Sequence, residues 1–323
     1  MMVHRPSLDR RAVLHYSVFV LVYRRTNRFA QLDENVPREG YYSRTELPMR
    51  RIHFIELHDQ PWCPSTIRDG VTDALQFGFH LFQVYGPIVP LLQRLIDSTG
   101  TCSIVDMCSG GGGPWLDLSR RLQSHKLPRN TPPLQICLTD KYPNLAAFQK
   151  IEAASSGRIS LSPQSVDATN VPRELKGLRT MFTSFHHFSP DMARAILQNA
   201  VDSGEGIAIF EAPRRAPLTI ALVFPWILIL SILTLWIRPF RWSRLLWTYL
   251  VPITPLVLIF DGVVSCLRTY RPSELRELVQ QLTASDYQYQ WEIGEDSTGT
   301  TPITYLIGYP QACGVTHAAP VSM

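Results

Sequence analysis

Cysteine is scarce and scattered in this chain of 323 residues. Its six cysteines contain no Cys-x-x-Cys pair, so the sequence predicts neither a zinc site nor a disulfide framework. We therefore expect no bound metal and a reducing compartment. Internal repeats and low-complexity runs are also lacking, and the length fits one domain with additions.

Charged residues are also few: they make up 18% of the chain, and the net charge is only +4. A basic balance can indicate nucleic acid, but the arginines here do not form a patch interleaved with aromatic residues. They collect around a hydrophobic segment instead. We therefore expect anionic membrane lipid, and no nucleic acid, as the partner of these arginines.

The hydrophobic segment begins with Ala216 to Ile237, which contains no charge in 22 residues. A helix of that length can cross about 30 Å of hydrocarbon. A second apolar run, Leu245 to Phe260, is broken by Pro252 and Pro255. Residues 216–267 are therefore predicted to form a hydrophobic hairpin in contact with a membrane.

How this hairpin sits is predicted from the residues that flank it. Two full crossings would carry its arginine-rich turn to the far side, against the tendency of basic loops to stay cytoplasmic. We favour a hairpin that dips into one leaflet and returns; a spanning hairpin is the alternative. The arginines would then lie beside headgroups, tryptophans at interfacial depth, and prolines at the bends. These residues are Arg214, Arg215, Arg238, Arg241, Arg244, Arg268 and Arg271; Trp236, Trp242 and Trp247; and Pro225, Pro252 and Pro255.

A glycine turn follows a short apolar strand at Ile104 to Pro114. Such a turn lets the backbone approach a bound cofactor closely. A dinucleotide fingerprint needs Gly-x-Gly-x-x-Gly, but Trp115 stands at the third glycine position. The alternative ligand is a nucleoside without phosphates, held by the turn and by carboxylates at strand ends.

In these residues the sequence resembles the class I S-adenosylmethionine-dependent methyltransferases, whose first strand reads apolar-apolar-Asp-x-Gly-x-Gly-x-Gly. Asp106, Gly110 and Gly112 match the acid and the last two glycines, and Cys108 replaces the first glycine. The resemblance covers about residues 101–215 and 268–310. It implies S-adenosylmethionine as the cofactor. The implied contacts within the turn are Asp106, Cys108, Ser109, Gly110, Gly111 and Gly112.

Two further acids follow the next strands. Asp140 ends an apolar run at the spacing expected of a ribose-binding carboxylate, and the resemblance assigns it that role with Lys141 on the same edge. Asp167 and Ala168 match the Asp-Ala pair beside the adenine. The alternatives are that Asp140 caps a helix at Pro143 to Ile151 and that Asp167 is a turn residue.

The fourth strand leads into Ser184 and then His186 and His187. In the family this strand end faces the transferred methyl group, so Ser184 is a predicted cofactor contact. Either histidine could be a general base, because imidazole titrates near working pH. The alternatives are that both histidines pack at the start of the helix from Pro190 to Ala200, or that alignment alone suffices for transfer.

Strands alternate with helices from residue 101 onward, which predicts an α/β fold with a doubly wound, Rossmann-like sheet. Tyr287 to Ile293 and Ile303 to Tyr309 are predicted to close it as an antiparallel pair, after a helix from Ser273 to Leu282. The predicted organisation is an N-terminal extension (1–50), a helical cap (51–100), the cofactor-binding core (101–215), the hairpin (216–267), the completion of the core (268–310) and a tail (311–323).

The first hundred residues are expected to contribute an anchor and a substrate wall. Ala12 to Tyr23 is apolar but too short to span, so it is either an interfacial anchor or a packed element. Helical patterns run from Ile67 to Phe82 and from Ile88 to Ile96. Trp62, Arg68 and Asp73 are candidate substrate-side residues, with packing or solvent-exposed roles as the alternative.

Together these features predict a membrane-associated methyltransferase with a cytoplasmic catalytic domain. Its substrate would be an apolar or amphiphilic small molecule, such as a lipid, a prenylated ring or a secondary metabolite. One rival is a membrane-associated oxidoreductase that uses NAD(P), which Trp115 and the strand-end acids disfavour. The other is a non-catalytic membrane scaffold with a relic of the fold.

Overall fold

The computed structural model describes residues 49–123, 133–283, 288–299 and 301–311. The predicted anchor, Ala12 to Tyr23, lies outside these ranges, as does nearly all of the predicted tail.

A seven-stranded sheet forms the centre of the described chain. Its order is β3-β2-β1-β4-β5-β7-β6, in which the first five strands run parallel and β7 runs antiparallel to β5 and β6. This arrangement confirms the predicted doubly wound sheet with an antiparallel closing pair. The strands are β1 Ser103–Asp106, β2 Gln135–Leu138, β3 Ile159–Leu161, β4 Leu178–Phe182, β5 Ile207–Glu211, β6 Tyr289–Asp296 and β7 Ile303–Pro310.

Helices cover the sheet and supply most of the remaining core. They are α1 Ser65–Leu81, α2 Val89–Thr99, α3 Trp115–Gln123, α4 Leu145–Ala154, α5 Pro190–Ser203, α6 Pro217–Leu233, α7 Trp242–Leu245, α8 Ile253–Arg268 and α9 Pro272–Gln280. Strand β5 is buried along its whole length, as expected for a parallel strand covered on both faces. Strand β1 ends at the buried Asp106.

Two helix starts differ from the sequence prediction. Helix α4 is capped by Asn144, whose side chain accepts from the Ala147 N–H, so the reading of Asp140 as its cap is wrong. Helix α9 begins at Pro272, one residue before the predicted start at Ser273. Proline fits the first helical position because its missing N–H would have no partner there.

The predicted hairpin is a set of helices between β5 and α9 that packs against α1. Ile227 and Leu230 of α6 and Val257 and Leu258 of α8 are buried in the same core cluster as residues of α1. Burying each such side chain is worth about 1.5 to 3 kcal/mol. One face of the hairpin therefore packs into the core of the folded domain.

The other face of the hairpin is apolar and exposed. Within the described residues, the helical segment Pro217–Trp236 is long and apolar enough to cross a membrane, with a mean hydropathy of 2.5. Trp242–Leu250 and Ile253–Arg268 pass the same test only as one pair, bent by 76°. The exposed large apolar side chains are Leu218, Phe224, Leu228, Ile232, Leu235, Trp236, Phe240, Trp242, Leu246, Tyr249, Leu250, Val251, Leu256 and Phe260.

Among the prolines, only Pro252 lies at the break between these two helical segments. Pro225 lies inside α6, which continues past it, and Pro255 lies in the first turn of α8. The prediction that three prolines supply bends is therefore correct for Pro252 alone.

Three of the seven arginines are buried within the protein. Arg215 pairs with Glu274, Arg244 pairs with Asp73, and Arg268 approaches Glu56. The expectation that all seven lie beside lipid headgroups is therefore wrong. Buried guanidinium groups need a carboxylate partner within the protein, and these three have one.

Candidate active site

The turn after β1 has the backbone geometry that the sequence predicted. Cys108 and Gly110 have positive φ values of 55° and 52°. Cys108 thus adopts a conformation that L-residues rarely take, at the position where the resembling family has glycine. Gly110 is exposed, and a side chain added there would meet no atom within 4 Å. The turn therefore presents open space above Gly110.

Helix α1 lies close against this turn. A Cβ atom on Gly111 would lie 2.0 Å from Nε2 of Gln76 and 3.1 Å from Cγ2 of Thr72. The helical cap therefore borders the glycine turn, and its role as a substrate wall stays a prediction.

Asp106 lies beneath the turn with both carboxylate oxygens occupied. The hydroxyls of Ser109 and Thr180 each donate to it at 2.7 Å. Burial raises the pKa of Asp106 to about 6 in spite of these bonds. Asp106 and Ser109 thus shape the turn from inside the protein.

Asp140 is bonded to the turn from the neighbouring strand end. The Gly110 N–H donates to its Oδ2 at 2.9 Å, and the Tyr142 N–H donates to its Oδ1 at 2.8 Å. Each carboxylate oxygen has a second lone pair, so Asp140 can still accept hydroxyl groups of a ligand. The structure thus brings the predicted ribose carboxylate directly beside the glycine turn.

Asp167 lies at the same edge and pairs with Lys141, whose Nζ is 2.8 Å from Asp167 Oδ2. The N–H and hydroxyl of Thr169 donate to the other oxygen. The Lys141 ammonium is the main reason that the pKa of Asp167 falls to about 2. Ala168 next to it is buried.

His186 lies in a short 3₁₀ turn, Phe185–His187, directly after β4. Its Nδ1 is 2.6 Å from Oε2 of Glu211, the last residue of β5. Burial would lower the pKa of His186, but Glu211 and then Glu56 raise it to about 9. Glu211 and Glu56 therefore favour the protonated ring of His186.

Glu211 also fixes the path of this turn. The N–H groups of Ser184 and Phe185 both donate to its Oε1, at 3.0 and 2.7 Å. The Ser184 hydroxyl is buried and has no hydrogen-bond partner among the described residues. Ser184 therefore keeps a free hydroxyl at the end of β4, as its predicted cofactor contact requires.

Glu56 is the buried acid between the two histidines. Its Oε1 lies 3.4 Å from His186 Nε2, and its Oε2 lies 3.6 Å from His187 Nε2. The Ser265 hydroxyl donates to Oε1 at 3.0 Å, and Arg268 Nη1 lies 3.5 Å away. Burial opposes ionisation, but His186 and His187 hold the pKa of Glu56 well below its usual range.

His187 is the more accessible histidine, with 28% of its side chain exposed. Its Nδ1 is 3.0 Å from Asp59 Oδ2, and Asp59 also lies 3.3 Å from His58 Nε2. His58 in turn contacts Asp261 of α8 at 2.8 Å. We call Glu56, His58, Asp59, His186, His187, Glu211 and Asp261 the acid–histidine cluster.

Two arginines hold the backbone of this cluster. Arg268 donates to the carbonyls of His186 and His187 at 3.2 and 2.7 Å. Arg51 donates to the carbonyls of His186 and Phe188 at 3.2 and 2.8 Å. Its guanidinium also stacks on Tyr270, with 4.0 Å from Cζ to the ring centroid. The turn is thus fixed by charge-assisted bonds to its own carbonyls.

Of the three predicted substrate residues, only Trp62 is fully exposed, with 66% of its surface accessible. Arg68 donates to the carbonyls of His58, Gln60 and Cys63 and so shapes the loop that carries part of the cluster. Asp73 pairs with the buried Arg244 of α7. Substrate contact by these three residues stays a prediction.

Sequence reasoning missed five members of the cluster as functional residues: Glu56, His58, Asp59, Asp261 and Glu211. A signal was present in the acidic residues preceding Trp62-x-Pro64 and in the acid that ends β5. Neither signal shows that residues 56–59 meet residues 186–187, because more than 120 residues separate them in sequence.

No protein-family model matches the chain, and no curated protein matches it. Solved structures that resemble it include the following three. An O-methyltransferase family protein from Burkholderia thailandensis has 16% identity over 74% of this chain and 59% of its own, with a TM-score of 0.41. The plantazolicin methyltransferase BpumL in complex with SAH has 11% identity, covering 78% and 92%, with a TM-score of 0.48. Human N-acetylserotonin methyltransferase in complex with SAM has 13% identity, covering 76% and 58%, with a TM-score of 0.41.

The chain spans about three-fifths of the length of the first and third of these structures. Because the similarities are weak, we take the fold from the strand order and the antiparallel β7 of this protein itself.

Proposed function

We propose that this protein is an S-adenosylmethionine-dependent methyltransferase that acts on an apolar or amphiphilic small molecule at a membrane surface. The observation that carries the proposal is the junction of the glycine turn with two strand-end carboxylates. Gly110 donates its N–H to Asp140, and Asp167 lies at the same edge beside Lys141.

The charges at this edge favour a nucleoside over a diphosphate. Asp140 and Asp167 would repel phosphates, and the nearby cation Lys141 is already paired with Asp167. Trp115, at the place of the third glycine, is fully buried and packs edge-on against Phe182. A positively charged sulfonium nucleoside suits this acidic edge better than NAD(P) does.

When bound, S-adenosylmethionine supplies a methyl group on a positively charged sulfur. The chain's own task is to hold the acceptor in line with that methyl group and, where needed, to remove a proton. Of the two predicted bases, His187 fits this task better, because 28% of its side chain is exposed whereas His186 is buried against Glu211. His186 would then act by positioning the turn through Glu211.

The hairpin supports the membrane part of the proposal. Its outer face carries Trp242 and Leu250, which are 78% and 77% exposed. Exposed apolar surface of this extent is typical of sites that contact a lipid or a partner. An apolar surface that follows β5 and borders the helical cap would let a poorly soluble substrate reach the site without crossing water.

The ion pairs of the hairpin support a hairpin that dips into one leaflet rather than one that spans the membrane. Arg241 and Arg244, in its basic turn, pair with Asp69 and Asp73 of α1. The turn is therefore attached to the same folded domain as the two ends of the hairpin. A spanning hairpin would have to break these ion pairs or carry α1 into the bilayer.

Calorimetric titration of the full chain with S-adenosylmethionine and, separately, with NADPH tests the cofactor. Binding of S-adenosylmethionine alone is the expected result. Binding of NADPH alone would replace the proposal with an oxidoreductase, and binding of neither would favour a scaffold.

Gly110→Ala and Gly100→Ala form a matched pair for the same test. Both glycines have φ near +60° and open space around an added Cβ, but Gly100 is the C-cap of α2. Each variant should lose about 1 to 2 kcal/mol of stability. Only Gly110→Ala should also weaken S-adenosylmethionine binding, by at least tenfold, and equal affinities would contradict the assigned site.

Flotation with vesicles of neutral and anionic phospholipid tests the membrane surface. The double variant Trp242→Ser with Leu250→Ser should bind vesicles far less than the wild type. Met192→Ser, which removes an exposed apolar side chain from α5, is the control and should bind normally. Unchanged flotation of the double variant would refute membrane contact through this face.

A further inference from the structure

We propose that Glu56, His186 and His187 form a binding site for a divalent first-row transition metal ion. The sequence alone predicted no metal, because its search for ligand spacing rested on cysteines. The structure brings one carboxylate and two imidazoles together from two distant segments. Their ligand atoms all lie within 4.8 Å of one another.

The distances between these atoms suit a small tetrahedral ion. His186 Nε2 lies 3.4 Å from Glu56 Oε1, and His187 Nε2 lies 3.6 Å from Glu56 Oε2. Zinc binds nitrogen and oxygen at about 2.0–2.2 Å, so neighbouring ligands of a tetrahedral site lie roughly 3.3–3.5 Å apart. Each histidine is therefore spaced from one oxygen of Glu56 as neighbouring ligands of such an ion are, and all three ligand atoms lie within 4.8 Å of one another.

The other nitrogen of each histidine is held by a second carboxylate. His186 Nδ1 lies 2.6 Å from Glu211, and His187 Nδ1 lies 3.0 Å from Asp59. This carboxylate–histidine pairing is typical of metal ligands, because it fixes the ring and directs Nε2 at the ion. Both rings here present Nε2 toward Glu56.

An unsatisfied atom independently indicates a missing ligand. His186 is 1% exposed, and its Nε2 has no hydrogen-bond partner among the described residues. Glu56 Oε1 lies 3.4 Å from this nitrogen without completing a hydrogen bond to it. A metal ion between Nε2 and Glu56 would satisfy both groups.

A second group of possible ligands, Glu56, His58 and Asp59, is the weaker candidate. His58 Nδ1 is already 2.8 Å from Asp261, and no unsatisfied nitrogen faces that group among the described residues. Arg268 Nη1 lies 3.5 Å from Glu56, so the alternative to a metal site is an ion-pair network without a metal. The experiment below separates these two states.

Two nitrogens and one carboxylate leave a coordination position open, as in catalytic zinc sites. The role of this position rests on the proposed function: it would take the oxygen of an acceptor hydroxyl and lower its pKa. The hydroxyl proton passes to solvent, and the oxygen then bonds the methyl carbon as the carbon–sulfur bond of the sulfonium donor breaks. In this state His187 is a metal ligand and no longer a base.

Metal binding is tested on the full chain, stripped with a chelator and titrated with Zn²⁺ by calorimetry. Co²⁺ substitution gives an absorption spectrum that reports tetrahedral nitrogen and oxygen ligands. We expect one equivalent of Zn²⁺ for the wild type and at least 100-fold weaker binding for His187→Gln. Asp59→Asn should weaken binding 10- to 100-fold through the orientation of His187. His80→Gln, on the exposed side of α1, is the control and should bind normally.

Thermal unfolding and circular dichroism establish that each variant is folded. A folded wild type that takes up no Zn²⁺, or a His187→Gln variant that binds as tightly as the wild type, would overturn the site and favour the ion-pair network. Titration of the same samples with S-adenosylmethionine is a separate readout. The cofactor proposal can therefore fail while the metal site stands, and the reverse also holds.

Discussion

Replacing Asp106 with asparagine should change how the stability of this protein depends on pH. The carboxyl group is buried at 1% exposure, and burial raises its pKa from 3.8 to about 6. Its folded pKa is thus higher than its unfolded pKa, so the folded state binds the proton more tightly. The stabilisation from this group is complete below about pH 4 and is lost as pH rises through about 6.

The difference between the folded and unfolded pKa values of Asp106 sets the size of the change in the free energy of unfolding. The rise in the pKa of Asp106 from 3.8 to about 6 corresponds to about 3 kcal/mol in the free energy of unfolding between the two limits. Between pH 8 and pH 5, the free energy of unfolding of the wild type should rise by about 1.4 kcal/mol relative to that of Asp106→Asn. For a domain of this size that is a change of about 3 to 5 °C in the difference between their Tm values.

The assay is thermal or urea unfolding of the wild type and Asp106→Asn at pH 8, 7, 6 and 5. Taking the difference between the two proteins at each pH cancels the titration of groups they share. Asparagine keeps the shape of the side chain. One of the Ser109 and Thr180 hydroxyls can still donate to its amide oxygen, and the other can turn to accept from its NH2 group. Parallel pH profiles would show that Asp106 is not the buried, proton-binding group that the structure implies.

Two further substitutions test packing and charge. Asp73→Asn leaves the buried guanidinium of Arg244 without its carboxylate and should lower the free energy of unfolding in urea by about 3 kcal/mol. Asp69→Asn, whose partner Arg241 is 36% exposed, should lower it by less than about 1 kcal/mol. Similar losses for the two variants would contradict the assigned burial of Arg244. Gly112→Ala, at φ 102° with its new Cβ 1.8 Å from Ile151 Cδ1, should lower stability by about 2 kcal/mol, and an unchanged Tm would argue against this turn geometry.

The core of the fold was predictable because its signals are local. Apolar strands that end in an acid, and a glycine turn between strand and helix, placed β1, β2 and the turn after β1 correctly. The contact between Gly110 and Asp140 follows from parallel strands that end at one edge of a sheet. Features of this kind can be predicted from local sequence without knowledge of the tertiary contacts.

Only two of the seven members of the acid–histidine cluster were predicted, because the others come from segments that are remote in sequence. His186 and His187 stood out at a strand end, but Glu56 and Asp59 lie in an irregular stretch with no period to interpret. The arginines of the hairpin were misplaced for a similar reason. A run of arginines beside apolar residues indicates contact with lipid headgroups only when no acid of the same chain pairs with it. Here Glu274 pairs with Arg215 and Asp73 pairs with Arg244.

The order in which the chain is synthesised gives one structural feature a further meaning. Leu57 N–H donates to Asp261, Ser265 donates to Glu56, and Ile52 N–H donates to the Leu267 carbonyl, across more than 200 residues in each case. Contacts of such sequence separation form late in folding. While the chain is being translated, the acid–histidine cluster therefore stays incomplete until α8 has left the ribosome.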